Sequence, residues 1–128
     1  MKKGARYEEF IYERLKQLFG TSNVTLRDKI LGLESGILRE IDVSIRIPDA
    51  AMEVLYIVQC KDWKSKTDIK VLGEFSAVIQ DVGASKGLLI CSSGFAKTNR
   101  RYALTKGIEL VTITDIESDS WTVSVTIP

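Results

Sequence analysis

Histidine is absent from this 128-residue sequence. Its absence excludes serine–histidine and cysteine–histidine nucleophiles, and it also excludes nucleases that depend on a histidine-bound metal. The only two cysteines, Cys60 and Cys91, lie in apolar, strand-like runs, and two thiolates without histidine do not make a zinc site. Any hydrolytic chemistry would therefore use carboxylates, lysine, hydroxyl groups and a bound metal ion.

The sequence also lacks long apolar runs and a strong net charge. No apolar run approaches the roughly 20 residues that cross a bilayer, and no apolar stretch follows the two lysines at the start. We therefore expect neither a membrane span nor a signal peptide, and we expect a cytoplasmic protein with reduced cysteines. Because the formal net charge is only +1, binding to nucleic acid would require a local basic patch.

The composition is typical of a globular protein, with 45% hydrophobic and 27% charged residues, and the length fits a single domain over residues 1–128. Periodicity predicts helices at 5–19, 68–82 and 95–107, and strands at 23–28, 37–47, 53–61, 87–93, 108–114 and 121–127. The order is α-β-β-β-α-β-α-β-β. A hairpin followed by strand–helix alternation predicts an α/β domain whose mixed sheet carries helices on both faces.

The segment 37–47 alternates apolar and polar residues, which is typical of a strand with one buried face. The pattern predicts that one face carries Ile37, Ile41, Val43, Ile45 and Ile47, and that the other carries Glu40, Asp42, Ser44 and Arg46. Turn residues follow at 48–51.

A tight turn at residues 50 and 51 would pair residues whose numbers add up to 101, which sets Asp42 opposite Gln59. Lys61 lies two residues after Gln59, so the two side chains share a face. A one-residue bulge would break this register. The hairpin is thus predicted to gather an acid, an amide and an ammonium group.

This group of three suits a magnesium site. Carboxylate, amide and main-chain carbonyl oxygens are the ligands that Mg²⁺ takes from proteins. A nearby lysine could hold an attacking water or stabilise charge that develops on a phosphate. The alternative is structural: an Asp42–Lys61 salt bridge at the end of the sheet, with Gln59 filling space.

Three segments, "REIDVSIRI", "VQCKDWK" and "KGLLICSSGF", resemble the Mrr-like restriction endonuclease family of the PD-(D/E)xK nuclease superfamily. In that family the acid before x-K is often glutamine, and this sequence reads "QCK". The resemblance covers roughly residues 5–113 and departs from the superfamily pattern at "EIDV", which has no proline–aspartate pair. It implies a restriction-endonuclease-like fold and a DNA endonuclease that uses Mg²⁺, with Mn²⁺ as a substitute.

The resemblance also implies roles for individual residues. Asp42 and Gln59, together with the Cys60 carbonyl, would bind the metal, and Lys61 would be the catalytic lysine. The family tends to carry a further glutamate on its first helix. Glu8 falls within the apolar stripe of the helix predicted here, so it would complete the catalytic and metal-binding set. The alternative is a first-turn acid that the helix dipole stabilises.

Contacts to DNA would come from basic groups near this site. We predict phosphate contacts by Lys64, Lys66 and Arg100, and by Ser93 at the start of the third helix. The alternative is a solvated charged face and an ordinary helix cap.

We expect the protein to bind DNA and not to bind a membrane. A homodimer and a separate recognition module or subunit are both compatible with this interpretation. The alternative function is a catalytically inactive nuclease fold that binds nucleic acid or a protein partner. A third reading is a plain structural domain.

Overall fold

The computed structural model describes residues 3–20, 22–61, 68–92 and 94–118, and side chains from residue 6 onward. The helices are α1 (Lys3–Leu18), α2 (Ile69–Val82), α3 (Lys97–Thr105) and α4 (Ile113–Glu117). The strands are β1 (Asn23–Leu31), β2 (Leu38–Asp49), β3 (Met52–Lys61), β4 (Lys86–Cys91) and β5 (Ile108–Thr112). No helix in these ranges is long and apolar enough to cross a membrane.

The five strands form one mixed sheet in the order β1-β2-β3-β4-β5. The first three strands are antiparallel neighbours, and β3, β4 and β5 run parallel. Ile11 of α1 and Ile116 of α4 belong to the core cluster on one face. Leu72 of α2 and Ala103 of α3 belong to the cluster on the other face. The predicted α/β architecture, a mixed sheet between two layers of helices, is therefore confirmed.

The end of the described chain differs from its prediction. The strand predicted at 108–114 ends at Thr112, and α4 follows. The Thr112 side chain accepts the Asp115 N–H at 3.2 Å, while the Asp115 carboxylate accepts the Thr112 N–H at 3.0 Å. This reciprocal capping box starts a helix because it satisfies two main-chain donors. The strand predicted at 121–127 lies outside the described residues.

The apolar residues of β2 do not share one face. Val43 and Ile45 pack in the cluster that contains α1, whereas Ile41 packs in the cluster that contains α2. Ile37 is 56% exposed. The single apolar face predicted for 37–47 is therefore wrong, because the strand changes the face that it buries between Ile41 and Val43.

The change of face coincides with a left-handed residue on the neighbouring strand. Arg27 has φ +52° and lies across from Asp42, at the one position where the β1–β2 pairing is interrupted. Strand β1 changes face at the same level, since Leu26 packs in the α1 cluster and Ile30 in the α2 cluster. A positive φ is uncommon for a residue other than glycine, and here it reverses the alternation without inserting a residue.

The far end of the β1–β2 hairpin is fixed to α2 through the buried Asp81. Its Oδ1 accepts the N–H groups of Glu34 at 3.1 Å and Ser35 at 2.9 Å. Its Oδ2 accepts the Ser35 hydroxyl at 2.6 Å and Arg39 Nε at 2.8 Å. The Ser35 hydroxyl and the Arg39 guanidinium hold the pKa of Asp81 well below its ordinary value. The hairpin is thereby held against the helix that borders the candidate site.

We expect Asp81→Asn to lower the free energy of unfolding at neutral pH, because an amide cannot accept all four hydrogen bonds. The pKa of Asp81 is depressed in the folded state, so its contribution is complete above the ordinary value of 3.8 and is lost as the pH falls below it. Urea unfolding on both sides of pH 3.8 should show the difference from wild type narrowing in acid. Glu74→Gln, an exposed change on the same helix, is the control, and an equal effect of both changes would contradict this account.

Candidate functional site

The β2–β3 hairpin has the predicted register. Its paired residues run from Asp49–Met52 to Val43–Val58, and the numbers in each pair add up to 101. No bulge interrupts these pairs, and the turn contains Ala50 with φ +54°. Asp42 and Gln59 are therefore the next residues on the two strands, at the point where the regular pairing ends.

The carboxylate of Asp42 accepts a main-chain hydrogen bond where this pairing ends. Its Oδ2 accepts the Cys60 N–H at 2.8 Å. Burial raises the pKa of Asp42, while the Cys60 N–H and the charges of Lys61 and Arg27 act to lower it. The hydrogen bond fixes the orientation of a partly buried acid at the end of β3.

Gln59 and Lys61 lie on β3 beside this acid. Gln59 and Asp42 both line a small cavity of about 60 Å³, which is closed on one side by Phe75 and Val78 of α2. The Lys61 carbonyl accepts the N–H of Ser92 at 3.0 Å and its hydroxyl at 3.2 Å, which ties the end of β3 to the end of β4. The positive charge of Lys61 is close enough to lower the pKa of Asp42.

Glu8 approaches the same acid from α1. Its side chain is 25% exposed, and its Oε1 lies 3.4 Å from Arg27 Nε. Burial and the negative charge of Asp42 raise the pKa of Glu8. A cavity of about 370 Å³ is lined by Glu8, Arg27, Lys29, Glu40, Ile41 and Asp42. The site therefore has two carboxylates, and the charge of Asp42 makes Glu8 harder to ionise.

The Cys60 side chain is an unsuitable ligand. Burial, followed by the negative charges of Asp42 and Glu8, raises the pKa of the Cys60 thiol well above its ordinary value. The thiol is therefore neutral near pH 7, and metals bind the thiolate. Any contribution of Cys60 to a metal site would come from its carbonyl oxygen.

The residue types at this end of the sheet carry the oxygen ligands that a hard divalent cation takes from proteins. Within the described ranges, no three Asp, Glu, Cys or His side chains are grouped to hold a metal. Asp42 shares one cavity with the carboxylate of Glu8 and another with the amide of Gln59. Mg²⁺ accepts such a mixed set because it keeps several waters. A cation would also relieve the repulsion that raises the pKa of Glu8.

Arg100 is the one predicted DNA-contacting residue within the described ranges, and it lines neither cavity at this site. Arg100, on α3, is exposed, and its guanidinium carbon lies 5.2 Å from the centre of the Phe95 ring. It lines a different cavity, with residues of β5 and with Asp115. Lys64, Lys66 and Ser93 lie outside the described residues.

Arg27 is the site residue that the sequence interpretation missed. It contacts Glu8, and its charge acts on Asp42. In the sequence it stands in an ordinary polar–apolar strand pattern, "NVTLRD", which predicts neither its left-handed backbone nor its neighbours.

A known protein family matches most of this sequence. The family model Mrr_cat, described as a restriction endonuclease, matches residues 13–118. The matched range contains Asp42, Gln59 and Lys61, whereas Glu8 precedes it. None of the curated proteins matches this sequence.

Several solved structures share the fold. AF1548, a protein of unknown function, is 18% identical, with a TM-score of 0.72 over 92% of this chain and 61% of its own. VC1899 from Vibrio cholerae is 19% identical, with a TM-score of 0.68 over 89% of this chain and 31% of its own. The restriction endonuclease MspJI, solved with a 27-mer oligonucleotide, is 13% identical, with a TM-score of 0.58 over 89% of this chain and 27% of its own. This chain thus spans less than two thirds of each of these proteins.

We expect Asp42→Asn to lower the pKa of Glu8, because it removes a negative charge that now disfavours ionisation of that acid. Burial should keep the pKa above its ordinary value of 4.5. Carboxyl ¹³C NMR titration of metal-free protein measures the change. Glu40→Gln, in the same cavity, should leave the value nearly unaltered. A Glu8 pKa that does not respond to Asp42→Asn would show that the two acids are not neighbours.

Proposed function

Because the chain belongs to the Mrr_cat restriction endonuclease family, we propose that it hydrolyses DNA phosphodiester bonds with the help of a divalent metal ion. One observation carries the proposal. The Asp42 carboxylate, oriented by the Cys60 N–H, lies at the end of β3 where Gln59 and Lys61 are also found. An acid, an amide and a lysine at one place are what metal-assisted phosphodiester hydrolysis needs in a chain without histidine.

We assign the following roles to the residues of this site. Asp42, Gln59 and the Cys60 carbonyl would hold Mg²⁺ or Mn²⁺, and Glu8 would complete the set. The bound ion would supply Lewis acidity toward the phosphate and lower the pKa of a coordinated water. Lys61 would orient the attacking water and stabilise the negative charge that develops on the phosphate. The hydrogen bond from Cys60 would keep the Asp42 carboxylate in place throughout.

The proposed substrate is DNA, which the family description supports and which suits a site of this chemistry. MspJI, which has the same fold, was solved with an oligonucleotide. We propose phosphate contacts by Lys64, Lys66, Ser93 and Arg100, so binding should weaken as salt rises. Two copies would cut the two strands. Choice of target would belong to a recognition module or subunit, in keeping with the short span of this chain relative to MspJI.

A second candidate is a nuclease fold that binds nucleic acid without cutting it. The observation in its favour is the modest negative charge of the site. Gln59 is uncharged, and the guanidinium of Arg27 already lies 3.4 Å from Glu8. A site with so little free negative charge would bind a divalent cation weakly.

Cleavage of supercoiled plasmid distinguishes the two candidates. We expect the wild type to nick or linearise the plasmid with Mg²⁺, and a chelator should stop the reaction. Asp42→Asn and Lys61→Met should each slow cleavage by about 10²–10³-fold, because the first weakens metal binding and the second removes a charge that stabilises the transition state. Lys70→Met, an exposed change on α2, should cut like the wild type.

Two results would contradict the proposed cleavage or the role given to Lys61. A wild type that shifts the plasmid on a gel without cutting it supports the binding candidate. A Lys61→Met variant that cuts at the wild-type rate would remove the proposed role of the lysine even if cutting depends on metal.

A further inference from the structure

The side chain of Arg27 lies on the side of the sheet that a regular strand would not give it. Leu26 packs toward α1, so strand alternation would turn the next side chain toward α2. Instead Arg27 Nε lies 3.4 Å from Glu8 and its Nη2 3.9 Å from Glu9, and both acids are on α1. The left-handed φ of +52° accounts for this reversal.

This position sets a cation beside Glu8 and in the same cavity as Asp42, the two acids of the candidate metal site. Arg27 contacts Glu8 directly, and the β1–β2 register sets it across from Asp42. All three residues line the same cavity. A guanidinium is charged at any relevant pH and is well shaped to pair with carboxylates. It therefore pairs with Glu8 by the same attraction that a divalent cation would use.

We propose that Arg27 is the internal counter-ion of this acid pair, and that a divalent cation must displace the Arg27 guanidinium from Glu8 in order to bind. The inference rests on the proposed function, because it assumes that Glu8 and Asp42 face a metal ion. Arg27 is then a positioning residue that lowers the affinity for metal. The Arg27 and Glu8 side chains are 46% and 25% exposed, so their ion pair is weak enough to be displaced.

Calorimetric titration of metal-free protein with Mn²⁺ tests the inference without measuring activity. Arg27→Asn removes the guanidinium and suits the backbone, because asparagine tolerates the left-handed region. We expect it to bind Mn²⁺ about two- to fivefold more tightly than the wild type, the range that exposed ion pairs allow. Arg27→Lys keeps the charge with a less suitable shape and should fall between the two.

Lys29→Asn is the matched control, since it removes the same charge from the same cavity wall. Its Kd should stay close to that of the wild type. Circular dichroism and thermal unfolding would confirm that each variant folds, and Arg27→Lys carries the comparison if Arg27→Asn does not fold.

The outcomes separate this inference from the proposed function. Tighter binding by Arg27→Asn alone supports it, as does binding that appears only in Arg27→Asn. If the wild type binds Mn²⁺ and Arg27→Asn binds no more tightly, or Lys29→Asn tightens binding equally, the inference is overturned and the metal site stands. If none of the proteins binds, both are overturned.

Discussion

The candidate site depends on one hydrogen bond, in which the Cys60 N–H donates to the Asp42 carboxylate. Main-chain pairing between β2 and β3 ends at Val43–Val58, so the next part of the hairpin lacks the regular ladder. The Asp42 carboxylate accepts the Cys60 N–H of β3 and becomes fixed there. The hydrogen bond thereby holds the Asp42 carboxylate beside Gln59 and Lys61, where we propose that a metal ion binds.

The interruption at Arg27 and Asp42 is maintained because it allows the hairpin to contribute to both cores. A left-handed residue other than glycine costs about 1–2 kcal/mol. Past the interruption, Ile41 is only 5% exposed and packs against α2, and burying such a side chain contributes about 1.5–3 kcal/mol. The hydrogen bonds of Asp81 add to this gain. The strain is therefore offset within the same hairpin, and the site sits at the point of strain.

Local patterns were sufficient to predict the mixed sheet and the register of the β2–β3 hairpin, because turn chemistry and strand alternation fix a hairpin register. They failed where a long-range contact decided the outcome. The change of face at Arg27 depends on α1 and α2, and nothing in the residues around it indicates a positive φ. The start of α4, by contrast, has a local signal, because the Thr112–Asp115 capping box is visible in the sequence. The apolar run before it nevertheless led to the prediction of a longer strand.

Anomalous diffraction from crystals soaked in Mn²⁺ tests most directly whether the end of the β2–β3 hairpin is a cation site. We expect one strong peak in contact with an Asp42 oxygen and close to Gln59, and we expect no such peak in crystals of Asp42→Asn. A peak away from Asp42, or no peak at a saturating Mn²⁺ concentration, would contradict the proposed cation site.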